Sequence, residues 1–524
     1  MEQVLKYLEG IKPREYQKQI FETCKDKNCL VVLPTGLGKT LIALMVAVKR
    51  MTDHPGEKVV MLAPTRPLAE QHYNTFTKHL PELFGDIKLF TGSIKAEKRK
   101  KIWQTADIIF STPQCVANDI RKGLYDLSEV CLLVEDEAHR CVKNYDYNFL
   151  SQKYKEQAEH PRIMGLTASP GGEASKIREI CYNLSIEEVE LRTRESEDVK
   201  PYLQERNFEK VTAYLPAEFN RIRTLLEKIF NSYVDSLKSM GMLYGPANKK
   251  TLLELQGKIS KSLSGNKAPS LYQAASACGQ AIKIHHAIEL LETQTLESLN
   301  NYLKNLFHQA DQKKSKGVMQ LVKKPEFNQV YMITNKLLDH DIEHPKLSKI
   351  ANITKKEMEQ PEAKVIVFAQ FRDTANSIAR KLNKNEGINA KVFLGQANKK
   401  ESGGGEGLSQ KEQKQVINEF SNGDVNVLCA TSIGEEGLDI PEVNSVIFYE
   451  PVASVIRTIQ RGGRTARMSK GKMIVLVTKN TRDEAYFYAA NAKEKKMKKA
   501  IQSIKKDLNK SKEGSKTKSS QTKL

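Results

Sequence analysis

One stretch constrains this chain more than any other: Cys29-Leu30-Val31-Val32-Leu33-Pro34-Thr35-Gly36-Leu37-Gly38-Lys39-Thr40. An apolar run stops at Pro34, passes through two glycines, and restarts as an apolar-periodic segment from Leu41 to Val48. That pattern predicts a strand, a tight loop and a helix, the setting a phosphate-binding loop requires. Pro34, Thr35, Gly36, Leu37 and Gly38 would form the loop, with the backbone N–H groups that follow Pro34 closing around phosphate oxygens and the helix N-terminus facing the same charge. Lys39 would then reach the β- and γ-phosphates of a nucleoside triphosphate, and Thr40 would hold magnesium. The strict pattern wants glycine where Leu33 stands, so the loop alone is also compatible with an ordinary Gly-rich turn.

At 524 residues the chain has room for two or three domains. No apolar run approaches the roughly 20 residues a membrane span needs, so no membrane partner is expected. Met1 to Gly10 carries acids and lysine with no apolar segment, so no secretory leader is expected either. Eight scattered cysteines without a C-x-x-C pair argue against a disulfide frame or a cysteine-held zinc. They fit reduced core thiols in a cytoplasmic protein. A net charge of +20 points to a polyanionic partner. Lysines exceed acids by nine between Asn491 and Leu524, where the large apolar residues before the terminal leucine are Met497, Ile501, Ile504 and Leu508. A membrane surface is therefore the weaker alternative to nucleic acid.

Short apolar strands alternate with helical segments over the first 190 residues: Cys29–Leu33, Val59–Leu62, Ile87–Phe90, Ile108–Ser111, Cys131–Glu135 and Ile163–Leu166. Continuous apolar runs of this kind belong to a parallel sheet covered on both faces, a doubly wound α/β domain. After Pro201 the character changes. Phe219, Ile222, Leu225, Leu226, Ile229, Phe230, Tyr233 and Leu237 trace an amphipathic helix, and further helical segments follow at Leu252–Leu263, Tyr272–Leu291, Leu296–Ala310 and Phe327–Leu338. His285 and His286 face different directions on such a helix and predict packing, not metal ligation. Strand–helix alternation returns with Val365–Phe368, Ala390–Phe393, Val425–Cys429, Ser445–Tyr449 and Met473–Val477. The expected organisation is a first α/β domain over 1–204, a helical insertion over 205–345, a second α/β domain over 346–490, and a basic tail over 491–524, disordered or disordered after one frayed helix. Ser402–Gly407 is expected to be a mobile surface loop.

Leu132-Leu133-Val134-Glu135-Asp136-Glu137-Ala138-His139 is an apolar strand that ends in acids. Beside a phosphate loop, Asp136 would hold magnesium through water and Glu137 would take the proton of the attacking water. In the second domain Gln460-Arg461-Gly462-Gly463-Arg464-Thr465-Ala466-Arg467 sets Arg464 and Arg467 on one helical face. They could meet the γ-phosphate as arginine fingers, worth roughly 10³–10⁵ in turnover, or form a patch for a phosphate backbone.

Taken in order, these stretches resemble the superfamily 2 helicases and translocases. Pro34–Thr40 is similar to motif I, Ala63-Pro64-Thr65-Arg66-Pro67-Leu68 to motif Ia, and Thr91-Gly92 with Ser111-Thr112-Pro113-Gln114 to the Ib region. Asp136–His139 resembles motif II, Thr167-Ala168-Ser169-Pro170 motif III, Val367–Arg372 motif IV, Ala430–Ile440 motif V, and Gln460–Arg467 motif VI. The resemblance implies two RecA-like domains around the insertion and ATP and Mg2+ as cofactors. It implies that Arg14 and Gln17 read adenine and that Gly437 and Asp439 border the nucleotide. Lys39, Asp136, Glu137, Gln460, Arg464 and Arg467 become the catalytic set. Thr65, Arg66, Gly92, Thr112, Gln370, Gly395, Thr431 and Ser432 would grip the nucleic-acid backbone, while Thr167 and Ser169 couple grip to hydrolysis.

Within the superfamily the chain looks like the Hef and Fanconi-anaemia-M branch, related to the Dicer and RIG-I-like helicases. The Leu33–Thr40 loop, the placement of the insertion, His285–Thr293, Gly407–Gln413 and Gly434–Asp439 carry that likeness. Ala466 replaces the glycine usual in motif VI, and the Glu-Arg-Lys motif of the fork-cutting nuclease is absent. The function implied is an ATP-dependent DNA helicase or translocase on forked, branched or duplex DNA. It would work in the cytoplasm at the nucleoid, with a separate structure-specific nuclease or sliding clamp as candidate partners. A duplex-RNA-stimulated ATPase of the RIG-I type and a non-catalytic DNA-binding scaffold are the alternatives.

Overall fold

The computed structural model describes residues 1–524 apart from 9, 35, 194, 203–206, 266–267, 396–407, 432–442, 452–471 and 521–524. Two parallel sheets organise it. The first contains β1 (Cys29–Val32), β2 (Lys58–Leu62), β3 (Ile87–Phe90), β4 (Ile108–Ser111), β5 (Val130–Asp136), β6 (Ile163–Thr167) and β7 (Glu188–Leu191), in the order β3-β4-β2-β5-β6-β1-β7. The second contains β8 (Asn207–Ala213), β9 (Val365–Ala369), β10 (Ala390–Phe393), β11 (Val427–Thr431), β12 (Ser445–Phe448) and β13 (Lys472–Thr478), in the order β10-β11-β9-β12-β13-β8. Every residue of β1, β2, β4, β5 and β6 is buried, because helices cover both faces. One layer of core gathers Val31, Met61 and Val134, the other Leu30, Val60 and Leu133. Among the described residues no helix is long and apolar enough to cross a membrane, and all eight cysteines are free and buried.

Each strand expected from apolar runs is present, but β7 and β8 are edge strands whose acids and lysine hide them. β8 runs parallel to β13 as an outer strand of the second sheet, so the chain enters that sheet before its helical segment, which begins at Ala217. Helices Ala217–Ser239, Lys249–Gly265, Pro269–Thr293, Leu296–Asp311, Lys316–Val322 and Pro325–Asp339 follow. Phe219, Ile222, Leu226, Ile288, Leu299 and Phe327 meet in one core, and Leu237, Leu252 and Cys278 in a second. The loop expected at Ser402–Gly407 lies outside the described residues.

The tail departs from expectation. A helix, Arg482–Ser520, continues from the second sheet, and Met497, Ala500, Ile501 and Ile504 form a stripe at helical spacing. Ile501 and Ile504 are buried in the first domain's core together with Ile177, Cys181 and Ile186. Arg178 pairs with Asp507 at 3.3 Å beside them. Those apolar residues are too few for a membrane surface, yet they suffice to dock a helix on a neighbouring domain. The second domain is thereby tied to the first.

Candidate nucleotide and nucleic-acid sites

β1 ends where the glycines take over. Gly36 and Gly38 have φ of +80° and +79°, which lets the chain reverse and start the helix Lys39–Asp53 without a side-chain cap. Its first N–H groups are thus left for an anion. Gly38 has a second reason to lack a side chain, since a Cβ there would lie 2.3 Å from Gln17 Nε2. Gln17 Nε2 and the Tyr16 hydroxyl donate to the Leu37 carbonyl at 3.0 and 2.8 Å. The Arg14 N–H donates to Gln17 Oε1 at 2.8 Å, and the Arg14 guanidinium lies 5.1 Å over Tyr202. Arg14 and Gln17 therefore buttress the phosphate loop from behind. Lys39 Nζ donates to the Leu33 carbonyl at 3.0 Å, inside the loop it would serve. Thr35 lies outside the described residues.

Two strands along from β1, across β6, β5 delivers Asp136 and Glu137 to the same sheet edge. That edge, at the carboxyl ends of parallel strands, is where open α/β sheets bind ligands. His72, from the helix Arg66–His79, stands between the two expected magnesium residues. Its Nε2 is 2.7 Å from Asp136 Oδ2 and its Nδ1 is 3.3 Å from Thr40 Oγ1. It is 2% exposed, and the sequence reading passed over it. Thr40 and Asp136 offer the hydroxyl and carboxylate oxygens that magnesium takes, and both contact the same imidazole. The Tyr147 hydroxyl donates to the Asp136 carbonyl at 2.6 Å, holding the strand end in place.

Glu137 sits in the left-handed region at φ +53°, a conformation costing an acid of this size on the order of 1 kcal/mol. Burial pushes its pKa up, yet the hydrogen bond from His139 and the charges of His139 and Lys39 outweigh burial and the repulsion of Asp136, leaving it below the ordinary range. The His139 Nδ1 lies 3.1 Å from its Oε2. An ionised carboxylate on a strained turn suits a proton acceptor. Glu135, one residue before Asp136, is buried in the core, where burial raises its pKa far above normal. Three consecutive acids therefore occupy different environments. From His139 a chain of contacts leads outward. Thr167 Oγ1 is 3.4 Å from His139 Nδ1, the Ser169 N–H donates to Thr167 Oγ1 at 3.1 Å, and Ser169 Oγ meets Met497 Sδ at 2.9 Å. Motif III thus touches both His139, the partner of Glu137, and the helix arriving from the second domain.

The residues expected on nucleic acid occupy the other half of the edge. Thr65 and Arg66 follow β2, Gly92 follows β3 and Thr112 follows β4, three adjacent strands. Thr65 and Thr112 begin the helices Arg66–His79 and Pro113–Arg121, neither with a side-chain cap bond. Arg66 and Gly92 are exposed. In the second sheet Gln370 follows β9, Gly395 follows β10 and Thr431 ends β11, again three adjacent strands. Among the described residues the hydroxyls of Thr65 and Thr431 are buried without a hydrogen-bond partner. The Gln370 N–H donates to Glu450, whose carboxyl burial pushes up to about 8. Ser432, Gly437, Asp439, Gln460, Arg464 and Arg467 lie outside the described residues. His285 is buried near Phe230, its pKa lowered by burial to about 4, and His286 leans on Glu289.

Residues 14–177 match the DEAD/DEAH box helicase family, 345–469 the helicase conserved C-terminal domain, and 218–340 the helical bundle of putative ATP-dependent RNA helicases. A crystal structure of the Pyrococcus furiosus Hef helicase domain is 42% identical, with a TM-score of 0.70, over 91% of this chain and 98% of that one. A protein of Methanocaldococcus jannaschii described as a putative ATP-dependent RNA helicase is 40% identical over 94% of this chain and 61% of its own length. The ATP-dependent DNA helicase mph1 of Sclerotinia sclerotiorum is 32% identical over 90% of this chain, and the Fanconi anemia group M protein homolog of Mus musculus 31% over 93%. The chain spans only 40% and 26% of those two proteins.

Proposed function

Because the chain belongs to the DEAD/DEAH-box helicases, in the Hef and Fanconi-anaemia-M branch, we propose that it is an ATP-driven DNA helicase or translocase acting on forked and junction DNA. The observation that carries this reading is the division of one sheet edge. Lys39, Thr40, Asp136 and Glu137 gather on its β1–β6–β5 half, while the unpartnered Thr65 hydroxyl lies on its β2–β4–β3 half.

In the proposed mechanism the loop from Pro34 to Gly38 binds the phosphates through backbone N–H groups, and Lys39 leaves the Leu33 carbonyl to meet them. Thr40 and Asp136 would hold magnesium, which when bound offsets phosphate charge. Glu137 takes the proton of the attacking water, its carboxylate kept ionised by His139. Arg464 and Arg467 complete the γ-phosphate site from the second domain, with Gln460 beside them, and Gly437 and Asp439 border the nucleotide. Closure on ATP and opening after hydrolysis would alternate the grip of Thr65, Arg66, Gly92 and Thr112 against that of Gln370, Gly395, Thr431 and Ser432. Hydroxyls and backbone amides on phosphates position a strand without reading bases, so recognition follows DNA shape. Cytoplasmic, nucleoid-associated work fits this role, with a separate nuclease or clamp as partner.

A second reading, an ATPase stimulated by duplex RNA, draws on the description of the Methanocaldococcus relative. ATP hydrolysis measured with matched forked DNA, linear duplex DNA, single strands and duplex RNA separates the two. Stimulation strongest with forked DNA supports the proposal. Strongest stimulation by duplex RNA supports the second reading, and no turnover with any of them removes both.

A further inference from the structure

We propose that His54, Glu57 and His160 form a second metal site, suited to zinc, on the first domain away from the nucleotide. Their ligand atoms all lie within 4.8 Å of one another. His160 Nδ1 is 2.5 Å and His54 Nδ1 3.9 Å from the same Glu57 oxygen, Oε1. The two imidazoles stack with centroids 4.1 Å apart and planes 28° from parallel. Glu57 Oε2 is buried with no hydrogen-bond partner. A plain His160–Glu57 ion pair accounts for one nitrogen and one oxygen. It leaves His54 Nδ1 beyond hydrogen-bond reach of the carboxylate and Oε2 unsatisfied. One dication held by one atom from each of the three groups brings His54 Nδ1 into use beside His160 Nδ1 and the Glu57 carboxylate.

The donor set selects the metal. Two imidazoles and a carboxylate suit zinc and its neighbours, whereas magnesium and calcium prefer oxygen alone. Tetrahedral zinc with bonds of about 2.0–2.1 Å sets ligand atoms about 3.3 Å apart, and the observed 2.5 and 3.9 Å bracket that edge. The His160 side chain is 50% exposed, which leaves a fourth position open to water. The Arg50 guanidinium opposes a cation, but it is bonded to the Cys131 and His160 carbonyls. Glu57 offsets its charge, and His54 follows the C-terminus of the helix Lys39–Asp53, whose dipole favours a cation.

His54 and Glu57 lie just before β2, and His160 just before β6, with β5 between the two strands. An ion here would staple two connections across β5 at the amino ends of the strands. Lys39 lies at the opposite end of the helix, on the order of 20 Å away at 1.5 Å per residue, so the site has no part in phosphate chemistry. Its role is to anchor the far end of the helix that carries Lys39 and Thr40.

The test uses the full chain, stripped of metal and titrated with zinc by calorimetry and with cobalt by visible absorption, alongside thermal melting. The expected result is one ion per chain at micromolar affinity or tighter, tetrahedral cobalt bands, and a raised melting midpoint. His54→Ala, His160→Ala and Glu57→Gln should each weaken binding at least tenfold and abolish the thermal shift, while His340→Ala, elsewhere on the surface, does neither. Binding unchanged in the three variants would place the metal elsewhere and overturn the proposal. So would the absence of any binding tighter than about 100 μM, which would leave the triad as an ion pair.

Discussion

Lys346 is the point at which the helical insertion and the second sheet are joined. It is fully buried, as is its partner Asp483, with Nζ 2.8 Å from Oδ2. The same Nζ donates to the Thr293 carbonyl at 2.7 Å, at the end of the longest insertion helix, and lies 4.5 Å from the Tyr449 ring centroid. Asp483 Oδ2 also accepts from Thr478 N and Oγ1 at 3.1 and 2.9 Å. Lys346→Met keeps most of the volume and removes the charge, leaving a buried carboxylate with only the two Thr478 donors. Removing one partner of such a pair costs about 3–5 kcal/mol, whereas replacing both partners is close to neutral. We therefore expect Lys346→Met to lose about that much stability and Lys346→Met/Asp483→Asn to recover at least half of it. The escape route is protonation: burial already raises the Asp483 pKa, against the pull of Lys346 and Thr478, and losing the lysine raises it further. An acid whose folded pKa exceeds its unfolded value binds more protons when native, so stability falls as pH rises between the two values. The deficit of Lys346→Met should accordingly shrink on acidification from neutral pH toward about 5, relative to the parent protein. Urea unfolding with hydrogen exchange over segments 288–296 and 474–486 reads both effects in place. A loss below about 1 kcal/mol, or a double variant no better than the single one, would refute the reasoning.

Two further expectations rest on the nucleotide side and a third on the C-terminal helix. Glu137→Gln should cut ATP turnover roughly 10²–10⁴-fold while nucleotide binding, followed by fluorescence, persists; unchanged turnover would remove Glu137 as the base. His72→Ala should raise the magnesium needed for half-maximal hydrolysis about tenfold or more, without changing magnesium-free ADP binding. Equal weakening with and without magnesium would mean that His72 merely supports the fold. Ile501→Asp/Ile504→Asp should free the C-terminal helix, seen as tryptic cleavage between residues 493 and 506 at least tenfold faster, while the strands of the first sheet keep their exchange protection. Cleavage at the parental rate would mean that the helix is not held by that stripe.

What could be read from the sequence was whatever is local or repeats along the chain. Continuous apolar runs reveal strands buried on both faces, so β1 to β6 are visible, whereas β7, with Val189 and Glu190 buried between half-exposed Glu188 and Leu191, looks like a loop. The phosphate loop and the acids of β5 are visible because each is one strand and its turn. His72 is not, because a single histidine in a polar helix has no pattern, and only the order β2-β5-β6-β1 brings that helix over Thr40 and Asp136. His54, Glu57 and His160 fail for the same reason: a separation of 103 residues between Glu57 and His160 is closed only by the sheet. The tail shows the opposite failure. Composition alone made it a disordered lysine-rich segment, yet Met497, Ala500, Ile501 and Ile504 repeat at three, one and three residues, the signature of one helical face. Burying that face on the first domain removes apolar area worth about 1.5–3 kcal/mol per isoleucine, while Lys495, Lys496 and Lys499 stay exposed. Because Met497 on that face also touches Ser169, the helix that ties the domains together passes against motif III on its way across the first domain. Any relative movement of the two domains must therefore strain or break the Ser169–Met497 contact, and motif III is positioned to register it.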